Sequence, residues 1–200
     1  MSDDATLIWY ERKAPFYTAS GAQGCARDLD SFLDRLDPDA YILELGCGGG
    51  HDAARMIERG FRVDATDGTA AMVRKANERH DVGARQMRFD ELCAQGEYDA
   101  VWAHACLLHL PRADLPDALG RIHAALKPGG LHYANFKLGD ADHPEEGRDL
   151  LGRWTNLPSS DWLKDRYKNA GFQLIDSQTY RGNGSDGVKR DWLAFTAKRA

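Results

Sequence analysis

The chain has 200 residues, of which 42% are hydrophobic and 28% are charged, and its formal net charge is −5. This length fits one domain of ordinary size, and this composition is that of a globular chain rather than a disordered one. The negative charge argues against a whole-surface attraction to nucleic acid or to an anionic membrane. No apolar run approaches the roughly 20 residues that a membrane-spanning helix needs.

The amino-terminal residues include acids where a secretory signal peptide needs basic residues, and no long apolar stretch follows them. We therefore expect a cytoplasmic protein. The cysteines lack the Cys-x-x-Cys spacing of a zinc site or a redox pair, so we expect no metal and free thiols at Cys25, Cys47, Cys93 and Cys106.

Hydrophobic periodicity and turn residues predict the elements in chain order. Residues 1–27 show weak periodicity with several aromatic residues, and a helix over 29–36 is expected to end before Pro38. Strands and helices should then alternate. The strands are expected at 41–45, 61–66, 85–89, 98–103 and 131–136, and the helices around 53–57, 72–76 and 115–126.

The carboxy-terminal part differs in pattern. Lys127-Pro-Gly-Gly130 predicts a tight turn before the fifth strand, and a polar stretch follows that strand to about residue 157. Ser160 is expected to cap a helix that runs to Gly171. Two further strands, 172–180 and 192–197, flank a glycine-rich loop and predict an antiparallel hairpin.

This alternation predicts an α/β fold. It should be a doubly wound, Rossmann-like, seven-stranded and mostly parallel sheet with helices on both faces and an antiparallel carboxy-terminal hairpin. We expect a single domain, with a cap or lid and first helix over 1–37, a cofactor-binding core over 38–140, and a substrate-side segment with the hairpin over 141–200. Ligands of such sheets bind beyond the carboxyl ends of the strands.

The strongest local signal is the glycine-rich turn after the first strand, Glu44-Leu-Gly-Cys-Gly-Gly-Gly50. Bare backbone in such a turn lets a ligand approach closely, and the next helix presents its amino end to it. Asp67 ends the second strand about 20 residues later, where a carboxylate can accept hydrogen bonds from a ribose diol. Because a carboxylate at position 44 repels a pyrophosphate but attracts a sulfonium or an ammonium, the charges favour S-adenosylmethionine.

Two alternative hypotheses remain. Gly48-Gly-Gly-His-Asp-Ala53 satisfies the dinucleotide pattern Gly-x-Gly-x-x-Ala, which would suit a nicotinamide-dependent oxidoreductase. That frame begins late after the strand and leaves Glu44 without a role. The second alternative is a module that binds the cofactor without its own catalysis, or that works only with a partner chain, because a fold does not guarantee chemistry.

Several motifs together resemble the class I S-adenosylmethionine-dependent methyltransferases. They are the Glu44–Gly50 loop, Asp67, Phe89-Asp90, Tyr98-Asp99 and Leu126–Gly130, in that order. The resemblance covers roughly residues 38–140 and is nearest to the small bacterial group with a generic methyltransferase domain, which includes tellurite-resistance-like enzymes. It implies in-line methyl transfer from S-adenosylmethionine to a small-molecule acceptor, with S-adenosylhomocysteine as product.

The resemblance also implies a set of site residues. For the cofactor these are Glu44, Gly46, Cys47, Gly48 and Gly50 around the methionine moiety, Asp67 at the ribose, Gly68, Thr69, Met72, Asp90 and Glu91 at the adenine, and Ala103 and His104 near the reacting methyl group. The absence of an Asn-Pro-Pro-Tyr-type motif disfavours DNA base methylation, so we expect no nucleic-acid partner. We also expect no membrane partner, and a monomer or a weak homodimer.

The acceptor and its reacting atom are not identified by the sequence. A general base is needed only if the acceptor keeps its proton until transfer. The catalytic candidates are His104, Lys137 and Tyr17, and the substrate candidates are Tyr10, Tyr17, His109 and Arg153. Tyr10 and Tyr17 are expected in a mobile amino-terminal lid, and an anionic acceptor would suit Lys137 and the arginines.

Overall fold

A computed structural model describes residues 3–19, 26–139 and 145–200. The described residues form six helices and nine strands. The helices are α1 (Asp4–Ala19), α2 (Leu29–Leu33), α3 (His51–Glu58), α4 (Ala70–His80), α5 (Leu115–Ala125) and α6 (Ser160–Asn169). The strands are β1 (Tyr41–Leu45), β2 (Arg62–Asp67), β3 (Arg85–Gln86), β4 (Tyr98–Ala103), β5 (Leu126–Lys137), β6 (Glu146–Arg148), β7 (Trp154–Asn156), β8 (Phe172–Asn183) and β9 (Lys189–Arg199).

Seven strands form the central sheet, in the order β3-β2-β1-β4-β5-β9-β8. The five strands from β1 to β5 pair in parallel, whereas β9 runs antiparallel to both β5 and β8. The strand order reverses at β1, which lies between β2 and β4, and ligand sites of doubly wound sheets lie at such a reversal. The predicted fold class is confirmed.

Alternate residues of the central strands face opposite layers of helices, as the period of a strand requires. Leu43 and Val101 pack in the core with α5 and α6, on one face of the sheet. Ile42 and Trp102 pack on the other face with Phe32 of α2 and with α3. The helices therefore cover both faces, and the carboxyl ends of the strands stay free for a ligand.

Helix α1 was not predicted, because no apolar stripe marks it. Its buried side chains are Thr6, Ala14 and Thr18, which are small or polar. Ala14 packs against Ala71 and Met72 of α4, so α1 lies over the helix that follows β2. The expected helix over 29–36 is limited to α2, and an unpredicted two-stranded ribbon of β6 and β7 occupies part of the expected loop.

Smaller differences concern turns and caps. Ser159, not Ser160, caps α6 by accepting a hydrogen bond from the backbone N–H of Trp162. Residues 127–130 loop out between two pairs of the β4–β5 ladder, where the tight turn was predicted. The expected strand over 85–89 stops at Gln86, and a 3-10 turn, Phe89–Glu91, follows.

Two further expectations concern the thiols and membrane spans. Cys47, Cys93 and Cys106 are free thiols as predicted, whereas Cys25 lies outside the described residues. Among the described residues, no helix is long and apolar enough to cross a membrane.

Candidate cofactor and acceptor site

A cavity of about 820 Å³ lies at the carboxyl ends of the parallel strands. Its walls come from the loops after β1, β2 and β4, from α1, from the 151–153 segment and from the tip of the β8–β9 hairpin. This volume lies within the roughly 300–1,000 Å³ of small-molecule sites. The amino-terminal segment and the carboxy-terminal hairpin therefore enclose the site that the central sheet opens.

The glycine loop after β1 is shaped by positive φ angles and close contacts. Gly46 has a φ of 69°, and a Cβ there would lie 2.6 Å from the Cβ of Cys106. Gly48 has a φ of 53°, and a Cβ there would meet no protein atom within 4 Å. Gly46 thus lets two loops meet, while Gly48 leaves open space beside the cavity.

Asp67 joins the end of β2 to this loop. One carboxylate oxygen accepts a hydrogen bond from the backbone N–H of Gly48 at 3.1 Å. The other accepts from the backbone N–H and the hydroxyl of Thr69, at 2.9 and 3.0 Å. A carboxylate offers about four acceptor positions, so Asp67 still has capacity for a ligand hydroxyl.

Glu44 is a buried carboxylate with an unused oxygen. It is 3% exposed, and its Oε2 has no hydrogen-bond partner among the described residues. Burial raises the pKa of Glu44 well above its ordinary value, and the nearby carboxylates of Asp52 and Asp67 raise it further. Three acids thus meet around one glycine loop, and a cation would relieve their repulsion.

These features fit S-adenosylmethionine by the donor set of the site. The unpartnered oxygen of Glu44 suits the cationic methionine moiety, and Asp67 suits the ribose hydroxyls. Of the cofactor residues predicted from the sequence, those that line the cavity are Glu44, Gly46, Cys47, Gly48, Asp67, Gly68, Thr69, Met72 and His104.

Four predicted cofactor residues lie outside the cavity lining. Ala103 is fully buried in β4, and a Cβ at Gly50 would touch Ala76 of α4 at 3.0 Å, so that glycine serves helix packing. Glu91 accepts from the backbone N–H of Arg88 at 2.7 Å, and Asp90 lies 3.4 Å from the Arg88 guanidinium. The 3-10 turn therefore directs both acids to Arg88.

At the far end of the cavity, Tyr10, His109 and Arg153 form a hydrogen-bonded chain. The Tyr10 hydroxyl lies 3.0 Å from His109 Nε2, and Arg153 Nη1 donates to that hydroxyl at 2.8 Å. His109 Nδ1 lies 2.6 Å from the carbonyl oxygen of Trp154. Helix α1, the turn after β4 and the start of β7 thereby meet at one point.

The two buried cations of this end are both paired. Lys137 is 2% exposed and donates to Asp186 in the hairpin loop at 3.1 Å. Arg153 is 1% exposed, and two of its nitrogens donate to Asp149 at 3.0 and 2.6 Å. Each of these charges is thus already paired with an aspartate, which sequence reasoning did not foresee, and the attraction of an anionic acceptor stays a prediction.

His104 and Tyr17, the remaining catalytic candidates, lie on different walls. His104 follows β4, is partly exposed, and places its Nδ1 3.9 Å from a carboxylate oxygen of Asp52. Tyr17 lies on α1 with its ring edge-on to Tyr10, at 5.4 Å between centroids. The cavity brings all the catalytic and substrate candidates together, with His104 near the cofactor residues.

Sequence reasoning missed several cavity residues. Asp52 is 8% exposed and accepts from the backbone N–H of Ala26 and from Trp102 Nε1, at 2.7 and 2.9 Å. Its position in the first turn after the glycine loop was a usable signal. Asp186 lies outside the cavity lining but pairs with Lys137, which is part of it. It has no comparable signal in the sequence, because only the β8–β9 hairpin brings it to the end of β5.

Comparison with known proteins agrees with this geometry. The family profile described as a methyltransferase domain matches residues 42–130. Trans-aconitate 2-methyltransferase of Deinococcus radiodurans is 33% identical over 139 residues, 66% of this chain and 49% of that protein. Ubiquinone biosynthesis O-methyltransferase of Caulobacter vibrioides is 29% identical over 175 residues, 77% of this chain and 69% of that protein. The chain spans about half the length of the first of these relatives.

A solved structure extends the comparison to the whole fold. The Burkholderia thailandensis 1,6-didemethyltoxoflavin-N1-methyltransferase, with bound 1,6-didemethyltoxoflavin and S-adenosylhomocysteine, is similar with a TM-score of 0.77. The similarity covers 98% of this chain and 86% of that one. Because the sequence identity is 22%, the similarity establishes a shared fold only. The likeness to the tellurite-resistance group stays a prediction.

Proposed function

We propose that this chain, which belongs to the class I S-adenosylmethionine-dependent methyltransferases, transfers the methyl group of that cofactor to a small-molecule acceptor. The observation that carries the proposal is the meeting of Glu44 and Asp67 at the Gly48 loop, in a cavity that continues to the Tyr10 and His109 side chains. One end of the cavity suits a cationic adenosine derivative, and the other leaves room for an acceptor.

The residues of the chain have separable roles in this proposal. Asp67 would hold the ribose hydroxyls, Glu44 would neutralise the positive charge of the methionine moiety, and His104 would border the reacting group. When bound, the cofactor supplies a methyl group on a sulfonium, whose sulfur leaves as a neutral thioether. The protein needs to align the acceptor with that methyl group and to exclude water, and orientation alone can supply several kcal/mol.

The shape of the cavity at its acceptor end favours a small acceptor molecule. The cavity is enclosed by α1 and by the hairpin tip, and it is walled there by aromatic rings of Trp9, Tyr10, Tyr17 and Trp192. The relatives named for trans-aconitate and for ubiquinone biosynthesis point to the same class of acceptor. Lys137 and Tyr17 remain proposed contacts of the acceptor, and we expect a cytoplasmic monomer or weak homodimer.

The structure gives little support to the nicotinamide alternative. In that frame, Gly50 would have to lie beside a pyrophosphate, but the position of its missing side chain faces Ala76 on α4. The buried carboxylates of Glu44 and Asp52 would also repel the phosphates.

A panel assay tests the proposed function. Thiols, amines, catechols, metalloid oxyanions and trans-aconitate are each incubated with S-adenosylmethionine, and release of S-adenosylhomocysteine is measured. We expect release with at least one of them. Binding of S-adenosylhomocysteine without release from any acceptor would contradict a transferase and favour a module that only binds the cofactor.

A further inference from the structure

The proton positions in the hydrogen-bonded chain of Tyr10, His109 and Arg153 follow from which of their atoms can donate and which can accept. A backbone carbonyl can only accept, so the 2.6 Å contact with Trp154 requires the proton of His109 on Nδ1. His109 Nε2 is then an acceptor, and the Tyr10 hydroxyl donates to it over 3.0 Å. Arg153 can only donate, so its Nη1 gives a second hydrogen bond to the Tyr10 oxygen.

This arrangement leaves the Tyr10 oxygen with one free acceptor position. A phenol oxygen has one proton and two lone pairs, and Arg153 occupies one of the pairs. Tyr10 lines the cavity, so the remaining lone pair is available to a proton donor bound there. His109 Nε2, in turn, has an unprotonated lone pair that can take the proton of Tyr10.

The groups around this chain hold it neutral and in place. Arg153 is fixed by Asp149 and also donates to the Ser185 hydroxyl at 2.8 Å. The charged groups that face His109 are Arg153 and Asp149 from the 149–153 segment and Lys137 from β5. Removal from water lowers the pKa of His109 to about 4, so its imidazole is uncharged at neutral pH.

We propose that Tyr10 and His109 form a proton relay that deprotonates the acceptor during methyl transfer, with Arg153 stabilising the Tyr10 oxygen. This inference rests on the proposed function. It also specifies the substrate class, which is an uncharged acceptor that enters with an N–H or O–H bond and loses that proton as its methyl bond forms.

The relay balances in protons and electrons. The proton of the acceptor goes to the Tyr10 oxygen, and the Tyr10 proton goes to His109 Nε2. The electron pair left on the acceptor atom bonds to the methyl carbon, whose bond to sulfur breaks with its pair remaining on sulfur. A proton on an atom that is gaining a methyl group becomes strongly acidic, so a weak base suffices, and His109 then returns its proton to water.

The first test needs no acceptor. A long-range 1H–15N spectrum of the wild-type protein reports which nitrogen of His109 bears the proton, with His109→Asn for assignment. We expect the Nδ1–H form, uncharged at pH 6. A proton on Nε2, or a charged ring at that pH, would overturn the relay, because His109 could then accept nothing from Tyr10.

The second test measures turnover with the fastest N–H or O–H acceptor of the panel. In Tyr10→Phe, we expect kcat to fall about 100-fold, within the usual range for lost acid–base catalysis, while calorimetry shows unchanged binding of S-adenosylhomocysteine. The wild-type kcat should stay level from pH 8 to pH 6. In Tyr10→Phe and His109→Asn it should rise with pH, because the acceptor then has to ionise by itself.

Two matched variants separate the relay from a structural role. Tyr98→Phe removes a buried hydroxyl that donates to Asp64 at 2.6 Å, and His123→Asn alters a histidine near Phe172; neither residue lines the cavity. Both should keep the wild-type kcat and pH profile. A Tyr10→Phe variant with the wild-type profile would overturn the relay alone, whereas no product from any acceptor would overturn the proposed function and the relay together.

Discussion

The carboxylate of Asp67 accepts a hydrogen bond from the backbone N–H of Gly48, 3.1 Å away. This bond joins the end of β2 to the loop after β1, so the two strands present one surface at the reversal of the sheet order. With Glu44 buried beside them, the loop has a carboxyl group on each side. The geometry of the cofactor end therefore depends on a contact between residues 19 positions apart in the sequence.

An alanine substitution in the glycine loop should reduce the stability of the protein by different amounts at Gly46 and at Gly48. Both Gly46 and Gly48 have positive φ, which costs an L-residue about 1–2 kcal/mol. Only at Gly46 would the new Cβ also collide with Cys106. Urea unfolding should therefore show a greater loss of stability for Gly46→Ala than for Gly48→Ala. Equal losses would contradict the packing described for this loop.

Glu44 should make cofactor binding depend on pH. Its pKa in the free protein is raised by burial and by neighbouring acids, and a bound cation would lower it. Affinity for S-adenosylmethionine should thus increase as the pH rises through the raised pKa, by about tenfold for each pKa unit that binding removes. Calorimetry on Glu44→Gln should show no such increase; the same pH dependence in this variant would exclude Glu44 as the cation's partner.

Glu11 should hold α1 over the cofactor end. Its carboxylate accepts from the backbone N–H of Ala71 at the start of α4, at 2.9 Å, and a lost helix cap typically costs about 0.5–2 kcal/mol. Stopped-flow displacement should show S-adenosylhomocysteine leaving Glu11→Gln several-fold faster than the wild type. The matched variant Glu78→Gln, which breaks an exposed pair with Lys75 on α4, should not change that rate. Equal rates in all three proteins would mean that α1 does not retain the ligand.

His109 should also influence stability at acid pH. Its pKa is about 4 when folded, against 6.5 when exposed, so below pH 6.5 the unfolded chain binds a proton that the folded one does not. Stability contributed by the neutral ring is therefore lost as pH falls from about 6.5 to about 4, by about 1.4 kcal/mol per pH unit. His132, with the same shifted pKa, adds an equal effect.

Urea titrations from pH 7 to pH 4.5 can isolate the part due to His109. Other groups contribute equally to both proteins, so the difference between wild type and His109→Asn should shrink with decreasing pH at the stated slope. A difference that stays constant with pH would show that the ring is already charged in the folded protein.

The central sheet was predictable because its strands carry strong local signals. Short runs rich in apolar residues marked β1, β2 and β4. Gly46 follows β1 and Asp67 ends β2, so the positions of Glu44 and Asp67 followed from chain order alone. Helix α1 was not predictable, since its buried face consists of Thr6, Ala14 and Thr18. A helix that packs by small and polar residues has no hydrophobic period to detect.

The acceptor end depends on pairings that no local pattern encodes. Tyr10 reaches His109 across 99 positions, and Lys137 reaches Asp186 across 49. From the sequence, Lys137 and Arg153 could only be treated as free charges. Their aspartate partners are set by the hairpin and by the loop before β7, so these ion pairs could not be predicted without the tertiary contacts.

The most direct test of a cofactor site at the Gly48 loop is calorimetry with S-adenosylhomocysteine on three proteins. Asp67→Asn places an amide where Gly48 and the ribose need an acceptor, whereas Asp64→Asn makes the same change at the pair with Arg85, outside the cavity. We predict binding by the wild type and by Asp64→Asn, and at least tenfold weaker binding by Asp67→Asn with a nearly unchanged melting temperature. Binding by Asp67→Asn as tight as that of the wild type would contradict the site.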